Sequence, residues 1–215
     1  MVGTLGAVAR AAPPDATALQ APAGQESAAA LIAPIQARWA VVQYTLPKTQ
    51  QASQFAALAQ KAADLANAHP ALAEPLVWEG IVLASDAGAT GGLSALFLAK
   101  RARACLDAAV RIDGVVLDGS AYTTLGSLYA QVPGWPIGFG DKAKAETYFK
   151  KALAINPLGI DDNYFYASYL AAVGRKSDAL RHLDIALHAA PRPGRALADK
   201  GRRQQILALI ARLSH

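Results

Sequence analysis

The feature that most constrains the fold of this chain is an internal repeat. Four positions are each matched by a similar residue 34 positions later. The pairs are Ala145 with Ala179, Phe149 with Leu183, Ala152 with Ala186, and Pro157 with Pro191. A shared interval across four positions indicates that one supersecondary unit is used twice. Such a unit cannot bury its apolar face alone, so we expect the units to stack on one another.

The remaining chain reads as helix with frequent breaks. Apolar residues recur at intervals of three and four from Glu26 onward, and Pro, Gly or Asp interrupts them. This pattern predicts nine helices with short connections. They cover residues 26–45, 49–68, 72–86, 92–112, 119–131, 142–155, 161–173, 177–189 and 195–213. The predicted fold is all-α, an α-solenoid of stacked antiparallel helical hairpins over residues 26–215.

The helix before the repeated positions carries a recognisable motif. The segment "YTTLGSLY" contains Tyr122, Leu125, Gly126 and Tyr129. With the positions above, residues 119–191 resemble the tetratricopeptide repeat (TPR), with tyrosine in place of the family's tryptophan, and residues 49–113 resemble it more loosely. The resemblance implies that small residues let paired helices approach. It also implies a non-enzymatic binding module whose first helices form a concave groove for a protein or peptide partner.

One segment breaks the repeat. Gly126 and Tyr129 find their counterparts after 41 residues rather than 34, so seven extra residues precede Ala145. They belong to "VPGWPIGFGDK", residues 132–142. Its prolines prevent helix continuation and its glycines permit turns. The loop is therefore an insertion within a single hairpin.

The loop is unusually apolar. Trp135, Ile137 and Phe139 alternate, which predicts that they point towards one surface. Two interpretations stay open: the loop completes the core of its own hairpin, or it forms the wall of a groove for a peptide or small ligand. Residues 122–169 hold 10 of the 15 aromatic residues, which favours a site nearby. The candidate partner-binding residues are Trp135, Phe139, Asn163 and Tyr164.

The net charge of +5 is a property of the C-terminal end. Residues 175–215 hold 9 Lys and Arg against 3 Asp and Glu. The last predicted helix places an apolar stripe on one face and most of its cations, Arg202 among them, elsewhere. We interpret it as a capping helix with a basic, solvated outer face. No basic groove with interleaved aromatic residues is present, so nucleic acid is not an expected partner.

The sequence carries no pattern typical of catalysis, metal binding or a cofactor. Gly138 and Gly140 lack the spacing of a phosphate-binding loop, and Asp141 is better explained as a helix N-cap. Cys105 stands alone and the four histidines are scattered, so no metal site is expected. Asp161 and Asp162 precede a helix and suit the positive end of its dipole. We therefore expect no enzyme.

The N-terminal segment and one further resemblance suggest export. The first eleven residues, "MVGTLGAVARA", resemble the end of a secretory signal, and residues 1–25 read as a leader. No apolar stretch is long enough for a membrane span. The segments "AQVPGWPIGFGDKAKAETYFKKALAINP" and "YFYASYLAAVGRKSDALRHLDIAL", within the last 100 or so residues, are similar to the T-component proteins of TRAP-type solute transporters. That similarity implies a periplasmic protein that binds a small apolar ligand; a cytoplasmic location is the alternative.

Overall fold

A computed structural model of the chain describes residues 27–214, which form nine helices. These are α1 (Ala28–Thr45), α2 (Lys48–Ala68), α3 (Ala73–Thr90), α4 (Gly92–Asp113), α5 (Val116–Gln131), α6 (Lys142–Ile155), α7 (Ile160–Ala172), α8 (Lys176–Leu187) and α9 (Ala196–Ser214). The predicted all-α class is confirmed. The predicted leader, residues 1–25, lies outside the described residues.

The predicted helix ends are close to the observed ones, with one clear exception. The sequence predicts that the third helix ends at residue 86, whereas α3 continues to Thr90. Gly88 is tolerated inside the helix, and the chain turns only at Gly91 and Gly92, which have φ of 68° and 63°. A second positive-φ segment, Leu117 to Gly119, precedes the regular part of α5.

The helices stack in sequence order. The closest packing joins α3 with α4, α2 with α3, α5 with α6, and α7 with α8, all of them neighbours in the chain, as expected for helical hairpins. The first helices of successive hairpins also touch, so that α1, α3, α5, α7 and α9 form a continuous inner row. This is the repeat-like packing of an α-solenoid, and it confirms the predicted architecture.

Small residues of the inner helices pack against large side chains of the paired helix. A Cβ at Gly126 in α5 would lie 2.8 Å from the ring of Phe149 in α6. At Gly80 in α3 the same construction meets Leu106 of α4 at 2.6 Å. Both positions therefore need glycine for close helix contact, which confirms the packing role predicted for Gly126.

The last helix returns to the first. Besides α7 and α8, α9 contacts α1, and Gly201 lies so close to α1 that a Cβ there would be 2.2 Å from the ring of Tyr44. The inner row of helices thus surrounds a central space. The sequence prediction that Arg202 lies on a solvated outer face is wrong, because Arg202 is only 5% exposed. It faces the central space instead.

Candidate ligand-binding cavity

A cavity of about 750 Å³ occupies the centre of the inner row. All five inner helices contribute to its wall, together with the first residues of α2 and α4, the start of the 132–142 loop and the segment before α9. The concave surface expected of a helical repeat is therefore a central cavity. Its size lies within the range of small-molecule binding sites.

One side of the cavity is apolar. It is formed by side chains of α3, α4, α5 and the loop, among them Ile81, Leu93, Leu96, Leu128, Val132 and Ile137. Leu93 is 86% exposed, although it belongs to the wall. Apolar side chains of this size gain free energy when a ligand removes them from water.

Hydroxyl groups of α5 line another part of the wall, namely those of Ser120, Thr123, Thr124 and Ser127. The hydroxyl groups of Thr124 and Ser127 donate to carbonyls one turn earlier in α5, at 2.9 and 3.1 Å. Thr123 donates to Asp162 of α7. Because these hydroxyl protons are already engaged, the strip offers mainly acceptor lone pairs to the cavity.

A network of ion pairs joins α7 to α9 in a further part of the wall. Arg202 and Arg192 both donate to the carboxylate of Asp161, each at 2.6 Å. Arg192 also donates to Asp199 through its side chain and its backbone N–H, both at 2.8 Å. Burial alone would raise the pKa of Asp161, but Arg202 and then Arg192 outweigh it and hold the pKa well below its usual range.

Aromatic rings position the Arg202 side chain within this network. Its guanidinium carbon lies 4.4 Å from the ring centre of Tyr164 and 4.5 Å from that of Phe165. Its terminal nitrogen donates to Gln205 at 2.6 Å. Cation–π contact and hydrogen bonds together compensate for burying the charge. Arg202 is thus a fixed part of the wall.

Arg195 differs from the other two arginines of the wall. Its guanidinium carbon lies 5.0 Å from the ring centre of Trp78, and its Nε is buried without a hydrogen-bond partner. The Nε1 of Trp78 is also buried and unpaired, whereas Trp39 donates to Ser85 at 2.9 Å. Both unpaired groups are donors, so this part of the wall lacks acceptors.

The 132–142 loop combines the two roles that the sequence left open. Phe139 packs edge-on against Tyr129 of its own hairpin with ring centres 5.3 Å apart, and Arg103 of α4 lies over its other side. Pro133 and Ile137 belong to the cavity wall. Trp135 is 91% exposed. The three alternating side chains therefore do not share one surface, contrary to the prediction, because the segment folds into turns rather than an extended strip.

Backbone hydrogen bonds explain this loop shape. The Gly140 N–H donates to the Pro133 carbonyl at 2.9 Å, and the Ile137 and Gly138 N–H groups donate to the Gly134 carbonyl at 3.1 Å. Asp141 caps α6 as predicted, accepting from two backbone N–H groups at 3.0 Å. The loop is thus closed at its base and presents its tip to solvent.

The two candidate residues of α7 have different environments. Tyr164 lies in the cavity wall, where it stacks beneath Arg202. Asn163 is fully buried, donates to the carbonyls of Pro157 and Gly159, and pairs with His182 of α8. A partner would reach Asn163 only if the α7–α8 hairpin opened, so its observed contacts are structural.

The adjacent carboxylates of α7 also separate. Asp161 joins the arginine network, whereas Asp162 turns the other way and accepts from Thr123 of α5 and, at 3.0 Å, from Asn156. Burial raises the pKa of Asp162 to about 7, against the opposing hydrogen bond from Thr123. The helix dipole predicted from sequence therefore accounts for only part of the role of this pair.

The residues that sequence reasoning missed are the arginines of the wall and the two buried tryptophans. Arg195 and Arg202 are seven residues apart within the predicted helix 195–213, and that interval places them on one helix face; Arg192 precedes this helix. That spacing was a usable signal. The spacing does not show that these arginines face the cavity, because the contact between α9 and α1 is not encoded by local periodicity.

Comparison with known protein families and with curated protein sequences finds no match for this chain. The resemblance to helical repeats therefore rests on the repeated residues and on the stacking of the hairpins. None of the helices in the described part of the chain is long and apolar enough to cross a membrane.

Proposed function

We propose that this chain is a non-enzymatic binding protein that takes one small, largely apolar molecule into its central cavity. The observation that carries the proposal is the return of α9 to α1 around a cavity of about 750 Å³. Ligand sites of this type are mostly apolar, with a few polar groups that set orientation. The apolar side and the arginine network match that description.

The contact between α9 and α1 also favours a compact ligand. An extended peptide needs a groove that is open along the inner row, and here Gly201 and Tyr44 close the row. A largely apolar cavity in a helical stack agrees with the small apolar ligand that the similarity to T-component proteins of TRAP-type transporters implies. We therefore propose a role as an accessory protein of solute uptake, in the periplasm or another exported compartment, with the cytoplasm as the alternative.

A cavity-filling variant tests the proposal. Gly88 lies in the wall, and a Cβ there meets no atom within 4 Å. Gly88→Phe should place its ring in the cavity and weaken binding of the neutral fluorescent probe N-phenyl-1-naphthylamine about tenfold or more. Its melting temperature should not fall, because glycine is a poor residue inside a helix.

The matched control places the same ring on an exposed helix position. Ala57→Phe on α2 lies outside the wall and should leave probe binding unchanged. Unaltered binding in Gly88→Phe, with the variant folded, would mean that the probe binds elsewhere and would refute a ligand in the cavity.

A second candidate function is recognition of a protein or peptide partner through the loop. It is favoured by Trp135 and Ile137, which are 91% and 64% exposed at the loop tip. A photo-crosslinking residue at position 135 should then capture one discrete partner in cells of the source organism. The same residue at Ala57 is the control, and equal labelling at both positions would exclude a specific partner at the loop.

A further inference from the structure

We propose that the cavity ligand is a monoanionic amphiphile, a carboxylate with an apolar tail, and that Arg195 binds its head group. The inference rests on the proposed small-molecule function and specifies the ligand class. It comes from the charge balance of the wall, the unpaired donors of Arg195 and Trp78, and the apolar residues that line the same cavity.

The charge balance leaves one arginine unmatched. Asp161 and Asp199 pair with Arg192 and Arg202, so these four groups sum to zero. Arg195 forms no ion pair with any carboxylate of residues 27–214, although it belongs to the same wall. An arginine stays protonated at neutral pH, so the network carries one uncompensated positive charge.

The environment of Arg195 makes this charge costly in the empty cavity. Burial lowers the pKa of Arg195, and the charge of Arg192 lowers it further. The ring of Trp78 covers the guanidinium at 5.0 Å, and Nε is buried without an acceptor. An anion entering the cavity would relieve this cost.

The part of Arg195 that a ligand can reach favours a carboxylate. Because Nε is buried, the terminal nitrogens are the donors left for a ligand, and their fork matches the two oxygens of a carboxylate. Lys48 is a second cation of the wall, but its ammonium is exposed and donates to Gln51 at 3.2 Å. Its charge is hydrated, so Arg195 is the stronger anion site.

The apolar part of the wall accounts for the tail. Leu93, Leu96 and Ile137 supply apolar surface without a charged side chain among them. An amphiphile would place its carboxylate at Arg195 and its hydrocarbon against these residues. The second charge of a dianion would find only the exposed, hydrated Lys48, which makes a single charge at Arg195 the better fit.

Two ligands of equal chain length distinguish the contribution of the head group to binding from that of the tail. Decanoate and decanol are titrated into the protein in competition with N-phenyl-1-naphthylamine, using the wild type, Arg195→Gln and Arg212→Gln. Arg212 is an exposed cation of the last turn of α9, so its variant controls for net charge. The wild type should bind decanoate about tenfold or more tightly than decanol.

Arg195→Gln should abolish this preference by weakening decanoate alone, while binding of decanol and the neutral probe persists. Arg212→Gln should keep the preference. Lys48→Gln is the second test variant: loss of the preference there, with retention in Arg195→Gln, would overturn the assignment to Arg195. If the probe binds and decanoate is no better a ligand than decanol, the anionic head group is refuted. If no compound binds, the small-molecule function itself fails.

Discussion

The repeated hairpins α5–α6 and α7–α8 and the closure between α9 and α1 are held together differently. The hairpins use small residues at a regular interval, with Phe149 seated on Gly126 and Leu183 buried at the equivalent place. The closure uses residues without a repeat: Gly201 against Tyr44 joins α9 to α1, and the arginines that bind Asp161 hold α9 in place on α7. The repeated residues therefore build the stack, whereas residues outside the repeat close its concave side into a cavity.

The largest expected effect tests the arginine network that holds α9 on α7, next to the closure. Asp161→Ala leaves Arg202 buried without its carboxylate, and breaking such a pair costs roughly 3 to 5 kcal/mol. Urea unfolding measures the free energy of unfolding. Asp178→Ala removes a carboxylate from exposed arginine pairs of α8 and should cause little change. Equal losses in the two variants would contradict the proposed importance of this network.

The next effect compares the two glycine contacts directly. Gly201→Ala and Gly126→Ala each force a Cβ against an aromatic ring, so each should lower the free energy of unfolding by about 1 to 3 kcal/mol. Only Gly201→Ala should also weaken binding of N-phenyl-1-naphthylamine per folded molecule, because it separates α9 from α1. If Gly126→Ala weakens binding as much, the division between stack and closure is wrong.

The free energy of unfolding of the stack should depend on pH through Asp162 of α7. The folded chain holds the Asp162 proton up to about pH 7, whereas the unfolded chain loses it near pH 4. The stability that this proton confers is therefore full below pH 4 and declines as the pH rises through 7. Between pH 5 and 8, the wild type should lose on the order of 2 kcal/mol relative to Asp162→Asn.

Thermal and urea unfolding of both proteins at several pH values measures this difference. Asp161 does not titrate in the same range, because its pKa is well below its usual value. His182 is present in both proteins, so its own titration cancels. A difference that is constant from pH 5 to 8 would contradict a raised pKa for Asp162.

The smallest expected effect concerns the tip of the loop. Trp135→Ala should leave the melting temperature unchanged, because the side chain is exposed. Phe139→Ala should lower the free energy of unfolding by roughly 1 to 2 kcal/mol, since Phe139 packs on Tyr129 and Arg103. A destabilised Trp135→Ala would place that residue in the hairpin core and would remove the loop as a partner site.

Much of the stack could be predicted from sequence because its determinants are local. Apolar spacing located the helices within a few residues, and the repeat identified Gly126, Ala145 and Ala152 as packing positions. The N-cap role of Asp141 could also be predicted, because it depends on residues adjacent in the chain. The prediction that the loop side chains share one surface was wrong. Backbone hydrogen bonds between Pro133 and Gly140 fold the segment into turns, so Trp135 and Phe139 do not align.

Of the candidate site, sequence reasoning found Tyr164 but not the arginines beside it. A period of three and four shows that Arg202 shares a helix face with other residues, but not whether that face meets water or the inner row. Asn163, the other candidate residue of α7, is buried by the packing of α7 on α8, which no local pattern shows.

The sequence by itself determined the nine helices of residues 27–214, their pairing into hairpins and the small residues at their contacts. Each depends on residues that are close in the chain or repeat at a fixed interval. The tertiary structure alone decided that α9 reaches α1, that Arg202 is buried and that Arg195 faces the cavity without a carboxylate. These features depend on how small rotations between successive hairpins accumulate around the stack, and such a sum has no local signature.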